Sequence, residues 1–251
     1  MDWHNDRLSI KLFSVSLSLK LMFLAGLPTL VQAQSASVIP STTVASVTFE
    51  PAGDEQPDDT AGGASRNGGI CSQDAQMGSS VTPLRPATHS ELTVAEHPTF
   101  FVYVPQTSAN KALFVLKDEA ENYYYEKTIS ISRTAGVVSF KLPNDAPALE
   151  IGKTYQWSFV VICGEAIRPD NPGVEGRIQR VAANPALSQL KSLSPLERAA
   201  LYGKNGIWYD TLTSLAEQRR SHPNDSTLAA TWEKLLKSVG LEAIATKPLL
   251  Q

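Results

Sequence analysis

Between positions 98 and 182 the chain is a series of short runs rich in β-branched and aromatic residues, separated by turn-forming residues such as "RTAG" and "GEAIRPDNPG". Runs of this kind, bounded by Gly, Pro, Asn and Asp, are typical of strands. The pattern predicts six strands, at 98–104, 112–119, 122–132, 136–143, 153–163 and 174–182. Six short strands at close spacing predict an antiparallel β-sandwich over residues 81–186.

The strand at 153–163 carries a more specific pattern. Leu149 lies six residues before Tyr155, with Gly152 in the turn between them. This spacing resembles the tyrosine corner of fibronectin-like domains, in which the phenol caps the backbone at the entry to a central strand. We therefore expect an immunoglobulin- or fibronectin-like sandwich with a structural Tyr155. By the period of two, Trp157 and Phe159 share its face.

From Leu187 to Gln251 the apolar period becomes helical. Ser194 and Glu197 form a capping box with proline in the first turn, which predicts a helix that stops at Gly206. A second helix is expected over 207–223 and a third over 225–240. The third has an apolar stripe of Leu228, Trp232, Leu235, Leu236 and Val239.

The first two helices resemble one tetratricopeptide repeat, in the positions of Ala199, Tyr202, Gly206, Trp208, Leu215 and Pro223. Thr211 and Gln218 depart from that pattern, because alanine is usual at both places. A single repeat does not bury enough surface to be stable alone. The hairpin must lean on the sandwich, on the third helix or on a partner protein. We take Arg219 and Arg220 as candidates for a partner surface.

The N-terminus has the layout of a secretory signal peptide over residues 1–33. Arg7, Lys11 and Lys20 precede or flank an apolar core at 21–30, and cleavage is expected after Ala33. The alternative is an uncleaved membrane anchor, although ten apolar residues are too few to span a bilayer. The mature chain has no second long apolar run, so no membrane span is expected in it.

Residues 34–80 are rich in Ser, Thr, Gly, Pro and Asp, and show no apolar period. Such a segment buries too little surface to offset its ordering entropy, which predicts a flexible leader. The exception is "SVTFE" at 46–50, which has the composition of a short strand. "GASRNGG" lacks the Lys-Ser/Thr ending of a phosphate-binding loop.

Cys71 and Cys163 are the two cysteines of the chain. An even count in an exported protein favours one disulfide bond, which would close a long loop. Two free thiols are the alternative. The formal net charge of −3 is not that of a nucleic-acid binder.

Glu96 and His97 are adjacent and precede the first strong strand. In an extended chain they point to opposite faces, so they would not act as a pair. No other residues form a catalytic constellation, and the cysteines and histidines have no metal-ligand spacing. We expect neither enzymatic activity nor a metal or cofactor, and a structural His97.

Several long motifs together resemble one exported family. They are "RNGGIC", "LTVAEHPTFFVYVP", "LEIGKTYQWSFVVIC", "VEGRIQRV", "LERAALYGKNGIWYDTLTSLAEQRR" and "WEKLLKSVGL". This arrangement is similar to domain of unknown function 928, a family found chiefly in cyanobacteria, over about residues 66–250. The resemblance implies a periplasmic or extracellular setting. It implies no activity and no catalytic residues.

Two hypotheses about function follow. The first is a non-enzymatic adaptor, whose sandwich and helical hairpin bind another exported or membrane protein. The alternative is a carbohydrate-binding or hydrolytic module that presents the rings of Tyr123, Tyr124 and Tyr125. Alternation sends Tyr123 and Tyr125 to one face of the strand, which fits ordinary packing equally well.

Overall fold

The computed structural model describes residues 46–52, 71–74, 80–87 and 91–250. The predicted signal peptide and its cleavage site after Ala33 lie outside the described residues, as does most of the predicted leader. The remainder is mostly β, with two sheets followed by a helical C-terminal part.

The first sheet has three strands, in the order β1 (Thr82–Pro83), β3 (Thr99–Val104) and β6 (Gly136–Lys141). The second has five, in the order β2 (Leu92–Thr93), β8 (Gly173–Arg180), β7 (Thr154–Val161), β4 (Lys111–Lys117) and β5 (Tyr123–Ser130). Neighbours are antiparallel, except that β2 runs parallel to β8. The six predicted strands are confirmed as β3 to β8. The two-residue strands β1 and β2 were not predicted.

The helical part contains α1 (Pro195–Lys204), α2 (Trp208–Ser221) and α3 (Ser226–Ser238), with 3₁₀ segments at Pro185–Ser192 and Glu242–Ile244. The predicted capping box is present, because Ser194 and Glu197 each bond the other's backbone N–H. Asp225 caps α3, where its carboxylate accepts the N–H groups of Thr227 and Leu228. All three predicted helices are therefore confirmed.

Strand β3 shows how the layers stack. All six of its residues are buried, so it lacks the alternation of a strand with one wet face. Phe100 points between the sheets, where its ring meets Phe114 and Trp157. Phe101 points the other way and meets Trp232 of α3. The helices therefore cover the outer face of the first sheet, and β3 is covered on both sides.

Tyr155 is in the predicted corner. It is buried, and its hydroxyl oxygen accepts a hydrogen bond from the backbone N–H of Glu150 at 3.0 Å. Trp157 and Phe159 are buried on the same strand at the predicted period of two. The expected structural role of Tyr155 is confirmed.

The first turn of α2 is fastened to the strands by three consecutive buried residues. Trp208 Nε1 donates to the carbonyl oxygen of Leu84 at 2.8 Å. The Tyr209 hydroxyl donates to the Arg177 carbonyl at 2.7 Å and accepts from Trp157 Nε1 at 2.8 Å. Asp210 follows, and its carboxylate holds the β2 segment. We call Trp208, Tyr209 and Asp210 the joint.

Residues 46–52, which we call the strap, pack against the helices although they belong to the predicted leader. Val47 is 1% exposed and lies in the core, and Phe49 packs beside it. This is the stretch "SVTFE", the exception to the flexible leader that was predicted as a short strand; it packs on the core as expected of apolar residues, but it is not assigned as a strand. The strap is extended but forms no described sheet ladder.

We expect Tyr209→Phe to lower the free energy of unfolding by about 1–3 kcal/mol, because it leaves Trp157 Nε1 and the Arg177 carbonyl buried without their partner. Denaturant unfolding measures the change. Tyr123→Phe is the control, since the Tyr123 side chain is 70% exposed. Equal stability of the two variants would contradict the role of the Tyr209 hydroxyl.

Candidate functional site

The predicted disulfide bond is present. Cys71 and Cys163 are joined, with Cα atoms 5.5 Å apart. Next to it, the Asp74 carboxylate accepts hydrogen bonds from the Thr107 hydroxyl at 2.6 Å and from the Ser108 backbone N–H at 2.8 Å. Partial burial opposes them, but these hydrogen bonds lower the pKa of Asp74. Residues 71–74 are thus tied to two loops at the same end of the sandwich.

A cleft of about 470 Å³ lies at that end, between the 162–172 loop and the open face of the second sheet. Val160 of β7 and Glu175 of β8 line it on the strand side, and Ile167 lines it on the loop side. Ile167 is 50% exposed, so about half of this large aliphatic side chain is accessible at the cleft. The loop holds its shape through the Asn171 side chain, which accepts the Arg168 backbone N–H at 2.8 Å.

A second, smaller crevice of about 180 Å³ lies beside the joint. Asp210, His97, Lys141 and Tyr202 line it. The Asp210 carboxylate accepts the Thr93 hydroxyl at 2.7 Å and the Val94 N–H at 3.2 Å. Burial raises the pKa of Asp210 to about 6, against the opposing effect of those hydrogen bonds. This acid is therefore poised between its two protonation states near neutral pH.

Glu96 and His97 find separate partners. Glu96 pairs with Arg180 at 3.1 Å, and His97 Nε2 lies 3.0 Å from the Ala146 carbonyl oxygen. Both contacts join the approach to β3 to segments beside β6 and β8. Both residues therefore have partners within the chain, and the structural role of His97 stays a prediction. The absence of catalysis stays a prediction.

The three consecutive tyrosines do not alternate as predicted. Pairing with β4 shifts register between Leu116, opposite Tyr125, and Lys117, opposite Tyr123. The irregularity at Tyr124 sends Tyr123 to solvent, whereas Tyr125 stacks on Phe140. The expectation that Tyr123 and Tyr125 share a face is therefore wrong.

Arg219 and Arg220 make contacts within the chain. The Arg219 guanidinium lies over the ring of Trp232, with Cζ 5.3 Å from the centroid. Arg220 donates to the Ser139 hydroxyl at 2.8 Å and to the Leu250 carbonyl at 3.2 Å. These contacts hold α2 to α3, to β6 and to the C-terminal residues. A partner surface at these arginines stays a prediction.

In the part of the chain that the structure describes, no three Asp, Glu, His or Cys side chains converge as metal ligands would. Nor does any helix within the described ranges have both the length and the apolar character needed to cross a membrane.

Asp210 and Ile167 were not singled out from the sequence. Asp210 stands in an otherwise apolar and aromatic stretch, "GIWYDTL", which is the signal that an acid is buried there. Ile167 is an isolated aliphatic residue in a polar loop, "CGEAIRPDNPG", where nothing in the sequence explains it.

The fold and these sites define a two-sheet β domain with a helical part docked on one sheet, a disulfide-tied loop end and two polar-lined recesses. The sequence profile described as Domain of Unknown Function (DUF928) matches residues 61–249. The chain therefore belongs to this family. No curated protein is similar enough to be counted as a match.

We expect the stability of the protein to depend on pH through Asp210. The folded carboxyl has a pKa of about 6 against 3.8 when unperturbed, so the folded state holds a proton that the unfolded state has lost. The resulting stabilisation is complete below about pH 4 and disappears as pH rises through 6. It is on the order of 2–3 kcal/mol.

Denaturant unfolding between pH 4 and pH 7.5 tests this expectation. The wild-type curve should fall relative to that of Asp210→Asn, which cannot ionise. Glu126→Gln, on the exposed strand β5, is the control for loss of one charge. Parallel curves for wild type and Asp210→Asn would rule out a titrating Asp210.

Proposed function

We propose that this protein is an exported, non-enzymatic binding module that recognises another exported or membrane protein. The observation that carries the proposal is the cleft under the 162–172 loop, with Ile167 half exposed at its side. An exposed large aliphatic side chain beside a shaped, mixed polar and apolar recess is suited to anchor a protein partner. The disulfide bond at Cys163 fixes one end of this loop, which lowers the entropy lost on binding.

The strand arrangement supports an immunoglobulin-like sandwich as the proposed fold class. Strands β4, β7 and β8 lie together in one sheet, and β3 pairs with β6 in the other. Strands C, F, G and B, E of immunoglobulin domains are divided in the same way. By this analogy the 162–172 loop corresponds to the F–G loop, which variable domains use for binding. The tetratricopeptide-like character of α1 and α2 likewise belongs to the proposal.

Export is the compartment that the proposal requires. The predicted signal peptide supports it, as does the disulfide bond, since such bonds persist in oxidising compartments. The periplasm or the cell exterior of a bacterium, as the family resemblance implies, meets this condition.

Carbohydrate binding is the second candidate, and one observation favours it. Tyr123 exposes most of its ring, and Lys117 Nζ lies 5.2 Å from the ring centroid. Tyr124 and Tyr125 are engaged with Tyr155 and Phe140, so the three rings do not form a shared platform. A single ring supports this candidate less well than the cleft supports a protein contact.

We expect Ile167→Ser to reduce recovery of the partner at least about tenfold, because an anchor side chain carries much of an interface's binding energy. The tagged protein is captured from cells that produce it, and co-purifying proteins are quantified by mass spectrometry. Ile151→Ser is the matched control, since Ile151 is 59% exposed and lies at the other end of β7. Equal recovery with both variants would count against the cleft.

We expect the mature protein to begin at Gln34. Mass spectrometry of the intact protein from the envelope or the medium measures its N-terminus. A chain that begins at Met1 would instead support the uncleaved anchor.

A further inference from the structure

The strap runs past the corner where α1 ends and α2 begins. The Glu50 backbone N–H donates to the Gly203 carbonyl oxygen at 3.0 Å. The ring of Phe49 meets that of Trp208 edge-on, with centroids 4.9 Å apart. Val47 points inward with Phe49, and Thr48 between them points out. The strap thus presents the Phe49 ring and its backbone to this corner, as an extended peptide ligand would, and buries Val47 in the core.

The corner is shaped around this backbone. A Cβ at Gly203 would overlap the Thr48 carbonyl oxygen, so a larger residue there excludes the strap. Gly206 adopts φ +71°, and a Cβ there would lie 2.8 Å from the Ala52 backbone nitrogen. A glycine inside α1 lowers the helix propensity of this segment. Gly203 is needed nevertheless, because the backbone of the strap passes directly beside it. We call Gly203, Gly206 and Trp208 the docking corner.

The docking corner and the strap differ in their relation to the family. The family profile matches residues 61–249, which include the corner but not the strap. The domain therefore carries a site for an extended segment, and the segment that fills it comes from outside the matched region. We propose that the docking corner is a segment-binding site, filled in cis by the strap and able to bind the strap of a second copy of this chain.

The strap of a second copy fits the docking corner, because it has the same sequence as the strap that fills the corner in this chain. Exchange of an identical element between protomers is a common route to dimers. Residues 53–70 separate the strap from Cys71, and 18 residues reach at most about 60 Å when extended. In the single chain this tether gives the cis strap a high effective concentration. Exchange of the strap between copies should therefore be detected with variants in which docking in cis is blocked.

Complementation between two full-length mature variants tests the proposal. Gly203→Ala blocks the docking corner and leaves the strap free. Val47→Ser/Phe49→Ser disables the strap and leaves the corner empty. Each variant alone should be a monomer by light scattering. Their mixture should form a 1:1 heterodimer that contains most of the chains, because only the free strap can fill the empty corner.

Gly164→Ala replaces Gly203→Ala in the control mixture, since a Cβ at Gly164 has open space around it. Its strap stays docked in cis, so no heterodimer should form. A synthetic peptide of residues 44–54 provides a second measurement that does not depend on dimer formation. It should raise the melting temperature of Val47→Ser/Phe49→Ser by several degrees.

The peptide should have no effect when Gly203→Ala is added to the strap-disabled variant. A mixture that stays monomeric, together with a peptide that leaves the melting temperature unchanged, would overturn the proposal. A peptide effect without a heterodimer would support a segment-binding site at the docking corner and overturn the exchange between copies. Neither heterodimer formation nor the effect of the peptide depends on Ile167. The test of the docking corner is therefore separate from the test of the cleft.

Discussion

The insertion of one helical turn beside the two sheets fastens the helical part to strand segments of both of them. Trp208, Tyr209 and Asp210 are consecutive, so the helix directs them to different sides, and each reaches a different strand segment. The Tyr209 hydroxyl both donates and accepts, which satisfies an indole N–H and a backbone carbonyl that are otherwise buried. Burial raises the pKa of Tyr209 well above its ordinary value, so this donor keeps its proton. Beyond the hydrogen bond from Arg220 to Ser139, the helices otherwise cover the first sheet by apolar contact, which is not directional.

The local elements were predictable because their causes are local. Runs of β-branched and aromatic residues between turn-forming residues located six strands, and the capping box at Ser194 and Glu197 located the start of α1. Strands β1 and β2 were missed because two residues carry no period. The outward turn of Tyr123 was missed because a register shift against β4 sets it, and such a shift depends on tertiary pairing.

The sites were less predictable than the elements. The Cys71–Cys163 bond followed from cysteine count and compartment, but the cleft beside it depends on how the 162–172 loop bends over the sheet. The crevice at Asp210 combines residues from β2, β3 and α2 that are up to about 120 positions apart. The stretch at 46–50 was expected to be a short strand within the leader, because its composition shows no packing partner and only two of its side chains are large and apolar. The residue that points to the strap is Gly203. A glycine is needed there because the strap backbone passes close to it, and this is visible only in the structure.

The position of the strap also orders the events of folding. The strap is synthesised before its contacts at Gly203 and Trp208, which lie more than 150 residues later. Contacts of such long separation slow folding, since the loop must close before they contribute. The Cys71–Cys163 pair spans 92 residues and closes within an earlier part of the chain. Val47 and Phe49 therefore stay without their packing partners until the hairpin has been made. In a nascent chain the strap is therefore made long before the corner that covers it.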